Sequence, residues 1–366
     1  MSSSARSNIR RMAAVMAAAA IVGGLGLRGA GAQSPVAPPG PKRVTVFMYS
    51  EYIDPEIPKQ FTQKTGLEVR IDVYEAEEEM IAKMQAAGGA SQYDVIVASN
   101  QNIPILAKLN LLQPLDLAKI PNRANVMDKF LNPPYDPGNK YGLPYQWGTM
   151  GLIYRIDKVP NFEPSWSMIF DEARQPASFV LLDEVRSMLC APLIQLGYSI
   201  NTRNAEEVKK AGELMLKAKS SKKCLGFDGG VAGKNKVVAG DAAMAIAYNG
   251  DAVRGMEEDK NVRYVTPKEG TLIWVDCMVI AARAPNPAGA HQFINYILEA
   301  TPGAQLSNFN RYATPNKASL PLITKEDREN PAIYPSDAEM AKMQLLEDVG
   351  KDMQIYDEVW TTIKTR

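Results

Sequence analysis

Val44-Thr45-Val46-Phe47-Met48-Tyr49 and Tyr93-Asp94-Val95-Ile96-Val97-Ala98-Ser99 are two short apolar runs, and the chain between them decides the fold. The first reads as a buried strand. Asp54-Pro55 then supplies a helix N-cap followed by proline at the first helical position, and Gly66 a stop. Leu67–Tyr74 alternates apolar and polar residues as a strand does. Glu77–Ala87 reads as a helix whose first-turn acids face the positive end of the helix dipole, with Gly88-Gly89 after it. The second apolar run is a strand again, and a helix follows to Leu109. This alternation predicts a parallel sheet with helices on both faces. Ligands in such sheets sit beyond the carboxyl ends of the strands. Here those ends are Ser50-Glu51-Tyr52 and Ser99-Asn100-Gln101.

Further along, Pro133-Pro134-Tyr135-Asp136-Pro137-Gly138 is dense in turn-forming residues, and Leu143–Tyr154 reads as an extended crossing. A second α/β region follows. Phe179–Leu182 is a predicted strand, Val185–Leu196 and Ala205–Ala218 are predicted helices, and further strands are expected to end at Tyr248 and at Trp274. Each of the last two ends sets an aromatic ring near a carboxylate: Tyr248 with Asp251, and Trp274 with Asp276. A ring face accommodates a cation and its methylenes, and a carboxylate accepts charge-assisted hydrogen bonds from an ammonium group. Two such pairs suit a small organic cation with an amine at each end.

The bulk composition of the 366 residues, 46% hydrophobic and 22% charged, is that of a globular chain long enough for two domains. Residues 1–32 are different. Arg6, Arg10 and Arg11 precede an apolar stretch, and Ala30-Gly31-Ala32 offers a small-residue cleavage site, the order of a secretory signal peptide. Arg10-Arg11 leaves both general and twin-arginine export open. Residues 33–41 read as a proline-rich leader. Without the four arginines up to Ala32, 37 basic side chains face 41 acidic ones, a net charge of −4, and no basic patch points to nucleic acid. The only histidine, His291, is expected on the solvated side of its helix, and a single histidine argues against His-based zinc sites and Ser-His catalysis. Cys190, Cys224 and Cys277 allow one disulfide with a free thiol, or three thiols. No metal and no cofactor are expected, nor is the chain expected to be an enzyme.

Several stretches resemble the bacterial periplasmic spermidine/putrescine-binding proteins, the soluble receptors of polyamine ABC importers. They are Tyr49–Ile53, Tyr93–Val97, Leu112–Asp116, Tyr135–Lys140, Pro144–Thr149, Pro267–Gly270, Tyr312–Asn316 and Glu329–Pro335, in that order along nearly the whole mature chain. The resemblance implies a two-lobed α/β periplasmic binding protein fold, each lobe a sheet flanked by helices and joined by chain crossings at a hinge. By analogy the first lobe takes residues 42–148 and 276–322, and the second 149–275 and 323–366. It implies ligand contact for Tyr49, Tyr52, Tyr248, Trp274 and Tyr312 as an aromatic wall. Asp276 would be the principal carboxylate, supported by Asp251, by Ser50 and Glu51, and by the hydroxyl of Ser99. Three positions depart from the family: Ser187 replaces a glutamate, with Asp183, Glu184 and Arg186 nearby, Leu346 replaces a glutamine, and Arg311 replaces a small residue.

The reading that follows is a monomeric periplasmic receptor that captures a putrescine-like diamine, with spermidine as a second ligand, and delivers it to a membrane ABC permease. One alternative is an amine-plus-carboxylate ligand such as 4-aminobutyrate, held through Arg311 or Arg186. Another is a polyamine-sensing receptor subunit. A third, an exported hydrolase pairing Asp251 with Asp276, lacks a supporting nucleophile or metal cluster.

Overall fold

The computed structural model describes residues 42–86 and 92–366, so the expected signal peptide, the leader and residues 87–89 at the end of a predicted helix lie outside the described residues. The described residues belong to one compact unit. Their strands are β1 (Arg43–Tyr49), β2 (Glu68–Tyr74), β3 (Val95–Ser99), β4 (Leu112–Gln113), β5 (Gly142–Arg155), β6 (Phe179–Leu182), β7 (Cys224–Asp228), β8 (Met244–Tyr248), β9 (Val262–Val265), β10 (Leu272–Ala281) and β11 (Gln344–Leu345). They run in the order β2-β1-β3-β10-β5-β8-β6-β7, with β4 and β11 also pairing β10 and β9 pairing β5.

Each end of this order is parallel, as the strand-helix alternation predicts: β2-β1-β3 on one side, β8-β6-β7 on the other. The middle is not. β10 runs antiparallel to both β3 and β5, and β5 antiparallel to β8, so the sheet is mixed. β5 pairs β10 from Gly142 to Thr149 and then β8 and β9 from Met150 to Arg155, passing from one half of the sheet to the other without a break. β10 pairs β11 at Leu272 and Ile273 and β3 from Asp276 to Ile280. Two long strands thus change partners side by side, and the strand direction reverses between the halves there.

Local sequence explains most elements. Val44, Val46, Phe47 and Met48 of β1 and all of β3 are buried on both faces, hence their nearly unbroken apolar runs. In the helix Glu56–Thr65, Ile57 and Phe61 lie one turn apart on the buried face, Asp54 Oδ1 accepts the Glu56 N–H at 2.9 Å, and Gly66 ends the helix at a φ of 73°.

Two expectations are corrected. β10 does not end at Trp274 but continues through Asp276 to Ala281, because Val275 and the residues after Asp276 are core on both faces and a register shift between Asp276 and Cys277 absorbs the polar residue. His291 is buried, not solvated. Its Nε2 accepts the Asp116 N–H at 2.9 Å, so Nδ1 donates to the Pro287 carbonyl at 2.6 Å. The segment that follows β4 packs over its helix, Pro287–Ile297, and closes the side left open by the apolar stripe. All three cysteines are free.

Candidate functional site

Strand ends from both halves converge on one cavity enclosing about 100 Å³. β1 ends in Tyr49, and Ser50, Glu51 and Tyr52 follow it. β3 ends in Ser99. From the other half, β6 is followed by Asp183 and Glu184, and β8 ends in Tyr248 with Asp251 in the first turn of the next helix. β10 contributes Trp274 and Asp276, which lie two residues apart and so share a face of the strand. All ten residues singled out from the sequence (Tyr49, Ser50, Glu51, Tyr52, Ser99, Tyr248, Asp251, Trp274, Asp276 and Tyr312) line this cavity. It sits where β5 and β10 change partners, the kind of place where open α/β sheets bind ligands.

Five rings form its wall in an unbroken chain. Tyr248 meets Trp274 at 5.9 Å between centroids, Trp274 meets Tyr312 at 5.0 Å, Tyr312 meets Tyr52 at 5.6 Å, and Tyr52 meets Tyr49 at 5.9 Å. Every pair is edge-to-face, so each ring's positive edge meets its neighbour's negative face and the contacts fix the wall rigidly.

The carboxylates give the cavity its charge. Asp276, only 5% exposed, accepts the Tyr52 hydroxyl at 2.6 Å. Its carboxyl is held well above the ordinary carboxylate range, chiefly by burial; the Tyr52 bond opposes this, and the negative charges of Glu77 and Glu184 add to it. Glu184 stands as the N-cap of the helix Val185–Gln195 and accepts the Tyr248 hydroxyl, which is also 2.9 Å from Ser187 Oγ. Burial and then the charge of Glu77 push the Glu184 carboxyl up to about 8. Glu77 lies behind the wall, accepting Ser99 N–H and Oγ at 2.7 Å each, with Asn102 as a further donor. Glu77 therefore raises the proton affinity of both Glu184 and Asp276, and Glu184 adds to that of Asp276, with no basic residue among the cavity's lining. Among the described residues, no three His, Cys, Asp or Glu side chains converge tightly enough to hold a metal ion. The negative charges are spread along the cavity, an arrangement for an elongated cation.

Sequence reasoning passed over Glu184 and Glu77. Glu184 closely follows a strand end, the same signal that marks Glu51, but in the sequence it stands out only as a neighbour of Ser187. Glu77 reads locally as a helix-starting acid, and nothing near it in sequence announces Tyr49 or Ser99. The two arginines considered as carboxylate holders are committed elsewhere. Arg311 pairs with Glu257 at 2.9 Å and Asp327 at 2.7 Å, and Arg186 donates to the carbonyls of Ile200 and Glu347 at 3.1 Å each while lying over the Tyr356 ring. Leu346, where the family has a glutamine, lines the cavity with an apolar side chain.

This chain belongs to the bacterial extracellular solute-binding proteins, whose family description matches residues 56–341. Its fold is the two-lobed fold of periplasmic binding proteins. It is 33% identical over 346 residues to a putrescine/agmatine-binding protein of Pseudomonas aeruginosa, covering 88% of this chain and 92% of that one. It is 31% identical over 327 residues to spermidine/putrescine-binding periplasmic protein 1 of Haemophilus influenzae, covering 87% and 89%. Among solved structures it resembles the spermidine/putrescine ABC transporter substrate-binding protein PotD of Streptococcus pneumoniae, with a TM-score of 0.74 and 30% identity over 88% of this chain and 98% of that one.

Proposed function

We propose that this chain is the polyamine-capturing component of an ABC importer, closing its two lobes on a putrescine-like diamine and releasing it unaltered to a membrane permease. The relatives' ligands support the class of guest. The observation that carries the reading is Asp276: a buried carboxylate beneath an aromatic wall, with a tyrosine hydroxyl but no cation beside it. One ammonium group of the ligand bonds Asp276, the second bonds Glu184, and the methylenes lie against Tyr248, Trp274 and Tyr312. Tyr49, Tyr52 and Ser99 hold the far side, Tyr52 and Ser99 tied to carboxylates by hydrogen bonds of their own. Glu51, Ser50 and Asp251 stand at the edge. A charge-assisted hydrogen bond contributes about 1.5–3 kcal/mol and a desolvated cation–π contact about 0.5–2 kcal/mol. Two of each give gross interaction in the range of micromolar binding, roughly 8 kcal/mol.

In this reading residues 1–32 direct export to the periplasm, residues 42–148 with 276–322 form one lobe, and 149–275 with 323–366 the other. The receptor acts as a monomer. The engagement of Arg311 and Arg186 by other partners weighs against a ligand that carries a carboxylate.

Calorimetric titration of Asp276→Ala with putrescine tests the assignment. Removing one partner of a buried ion pair costs about 3–5 kcal/mol, so the variant loses affinity by a factor on the order of 100 or more. Undiminished affinity in a folded variant would remove Asp276 from the site and the reading with it.

A further inference from the structure

Arg254 has no part in the arrangement described so far. It projects from the helix Asn249–Glu258 one turn after Asp251, and its Nη2 lies 2.8 Å from Asp251 Oδ1 and 3.0 Å from Glu51 Oε2. Both carboxylates line the cavity, one reached from β8 and the other from β1. The arginine side chain is 16% exposed, and its Nε is buried without a hydrogen-bond partner, so the guanidinium is held in place by these two acids rather than by solvent. Glu51 meets it from a left-handed backbone with φ of 54°, a conformation that costs a non-glycine residue energy and that the ion pair helps to hold.

The cavity's acids therefore fall into two groups. Asp276 and Glu184, with Glu77 behind them, form an inner group with no basic residue in the cavity's lining beside it. Asp251 and Glu51 form an outer pair that already carries one. Of the remaining lining acids, Asp183 is paired with Lys364 at 2.8 Å, and Glu75 is exposed.

We infer that Arg254 is a specificity-determining residue that limits the ligand to two ammonium groups, acting as the protein's own cation where a longer polyamine would set its third. The inference rests on the polyamine reading above. A diamine satisfies Asp276 and Glu184 and needs nothing from the outer pair. A triamine must place another ammonium, and at Asp251 it meets a guanidinium with the same charge at hydrogen-bonding range, where repulsion is strongest. Without Arg254, the outer pair changes from one net negative charge to two and becomes a vacant amine subsite.

The test is titration of wild-type protein and Arg254→Met with putrescine and with spermidine. The affinity for spermidine relative to putrescine is expected to rise at least tenfold in the variant, through tighter spermidine binding. An unchanged ratio, including an equal fall for both ligands as expected of a mere clasp between lobes, would overturn the inference. If circular dichroism shows Arg254→Met to be unfolded, Arg254→Gln, which keeps a donor toward Asp251 but no charge, is held to the same threshold. Wild-type protein that binds neither polyamine defeats the polyamine reading itself. Wild-type protein that binds putrescine beside an unchanged ratio defeats only the role of Arg254.

Discussion

Glu184 is the side chain on which the chemistry of the site turns at neutral pH. With its carboxyl pushed up to about 8 by burial and by Glu77, it is mostly protonated at pH 7 while no cation is bound. An ammonium group favours the anion, so ligand binding displaces a proton. Apparent affinity for putrescine is then expected to climb with pH up to about 8, by roughly tenfold per unit at the steepest. The groups facing Glu184 are Glu77, Glu78, Ser187 and the Tyr248 hydroxyl, and the charged ones among them push in the same direction. Calorimetry in two buffers of different ionisation enthalpy measures the released proton directly. Glu184→Gln should release less and show a flatter pH profile; a profile as steep as wild type in that variant would reject the assignment. The same shift acts on stability with the opposite sign. A carboxyl whose folded pKa is raised contributes stability below its ordinary value near 4.5, and that contribution is lost as pH rises through about 8. Asp276 is shifted in the same direction. The unliganded protein should therefore melt at lower temperature at pH 8 than at pH 5, and saturating putrescine should narrow the difference.

At the scale of elements, the site depends on how closely β5 passes β10. Gly148 lies opposite Trp274 in the paired strands, and a Cβ added there would stand 2.5 Å from the indole and 2.4 Å from Asn249 Oδ1. That oxygen accepts the Thr149 N–H at 3.0 Å, and the Asn249 amide donates to the Ala332 carbonyl at 2.8 Å, so neither neighbour yields freely. Gly148→Ala should destabilise the fold by about 1–3 kcal/mol and, by turning Trp274 out of the ring chain, weaken ligand binding as well. Thermal melting and titration read the two effects, and a variant unchanged in both would show that the strands can part at no cost. These elements also show what a sequence makes legible. β1, β2, β3, β6 and β8 are marked by apolar patterning between glycine, proline and capping residues, and the carboxyl ends of β1, β3 and β8 point to Ser50, Glu51, Tyr52, Ser99, Tyr248 and Asp251, whereas Tyr312 comes only with the family resemblance. β10 was misread because an aspartate in an apolar run looks like a strand end, when a tyrosine hydroxyl across the fold and a register shift let it stay within the strand. Glu77 and Arg254 were not legible at all. Glu77 reaches Ser99, 22 residues on, only once its half of the sheet has folded, and Arg254, one turn from Asp251, meets Glu51 only where the two halves come together.

At the scale of the whole molecule, the cavity lies between the two halves, with Asp276, Tyr52 and Tyr312 each 5% exposed at its inner end and Glu51 exposed at its mouth. Several polar contacts join the two halves beside the chain of rings. Arg254 spans Asp251 and Glu51, Arg311 reaches Glu257 from its left-handed position after the helix Ala300–Asn310, and Asn100 donates to the Leu346 carbonyl at 2.5 Å while accepting the Val275 N–H at 3.1 Å. Partly exposed ion pairs of this kind contribute little each, about 0–1 kcal/mol, whereas closing without a guest takes the carboxyls of Asp276 and Glu184 out of water with no cation to pair them. Closure without ligand is therefore poorly favoured, and a bound diamine removes the penalty by pairing both acids at once. Binding should accordingly contract the protein by hinge closure. Small-angle scattering is expected to show a smaller radius of gyration with saturating putrescine than without. Ligand at a hundred times its dissociation constant should also stabilise the fold by about 2.7 kcal/mol, raising the melting temperature of a chain this long by roughly 5 °C. A melting shift without contraction would mean that the unliganded protein is already closed in solution and that Arg254, Arg311 and Asn100 suffice to hold it. Contraction with the shift would mean that the ligand's two charges decide when the surface built from both halves is presented to a partner.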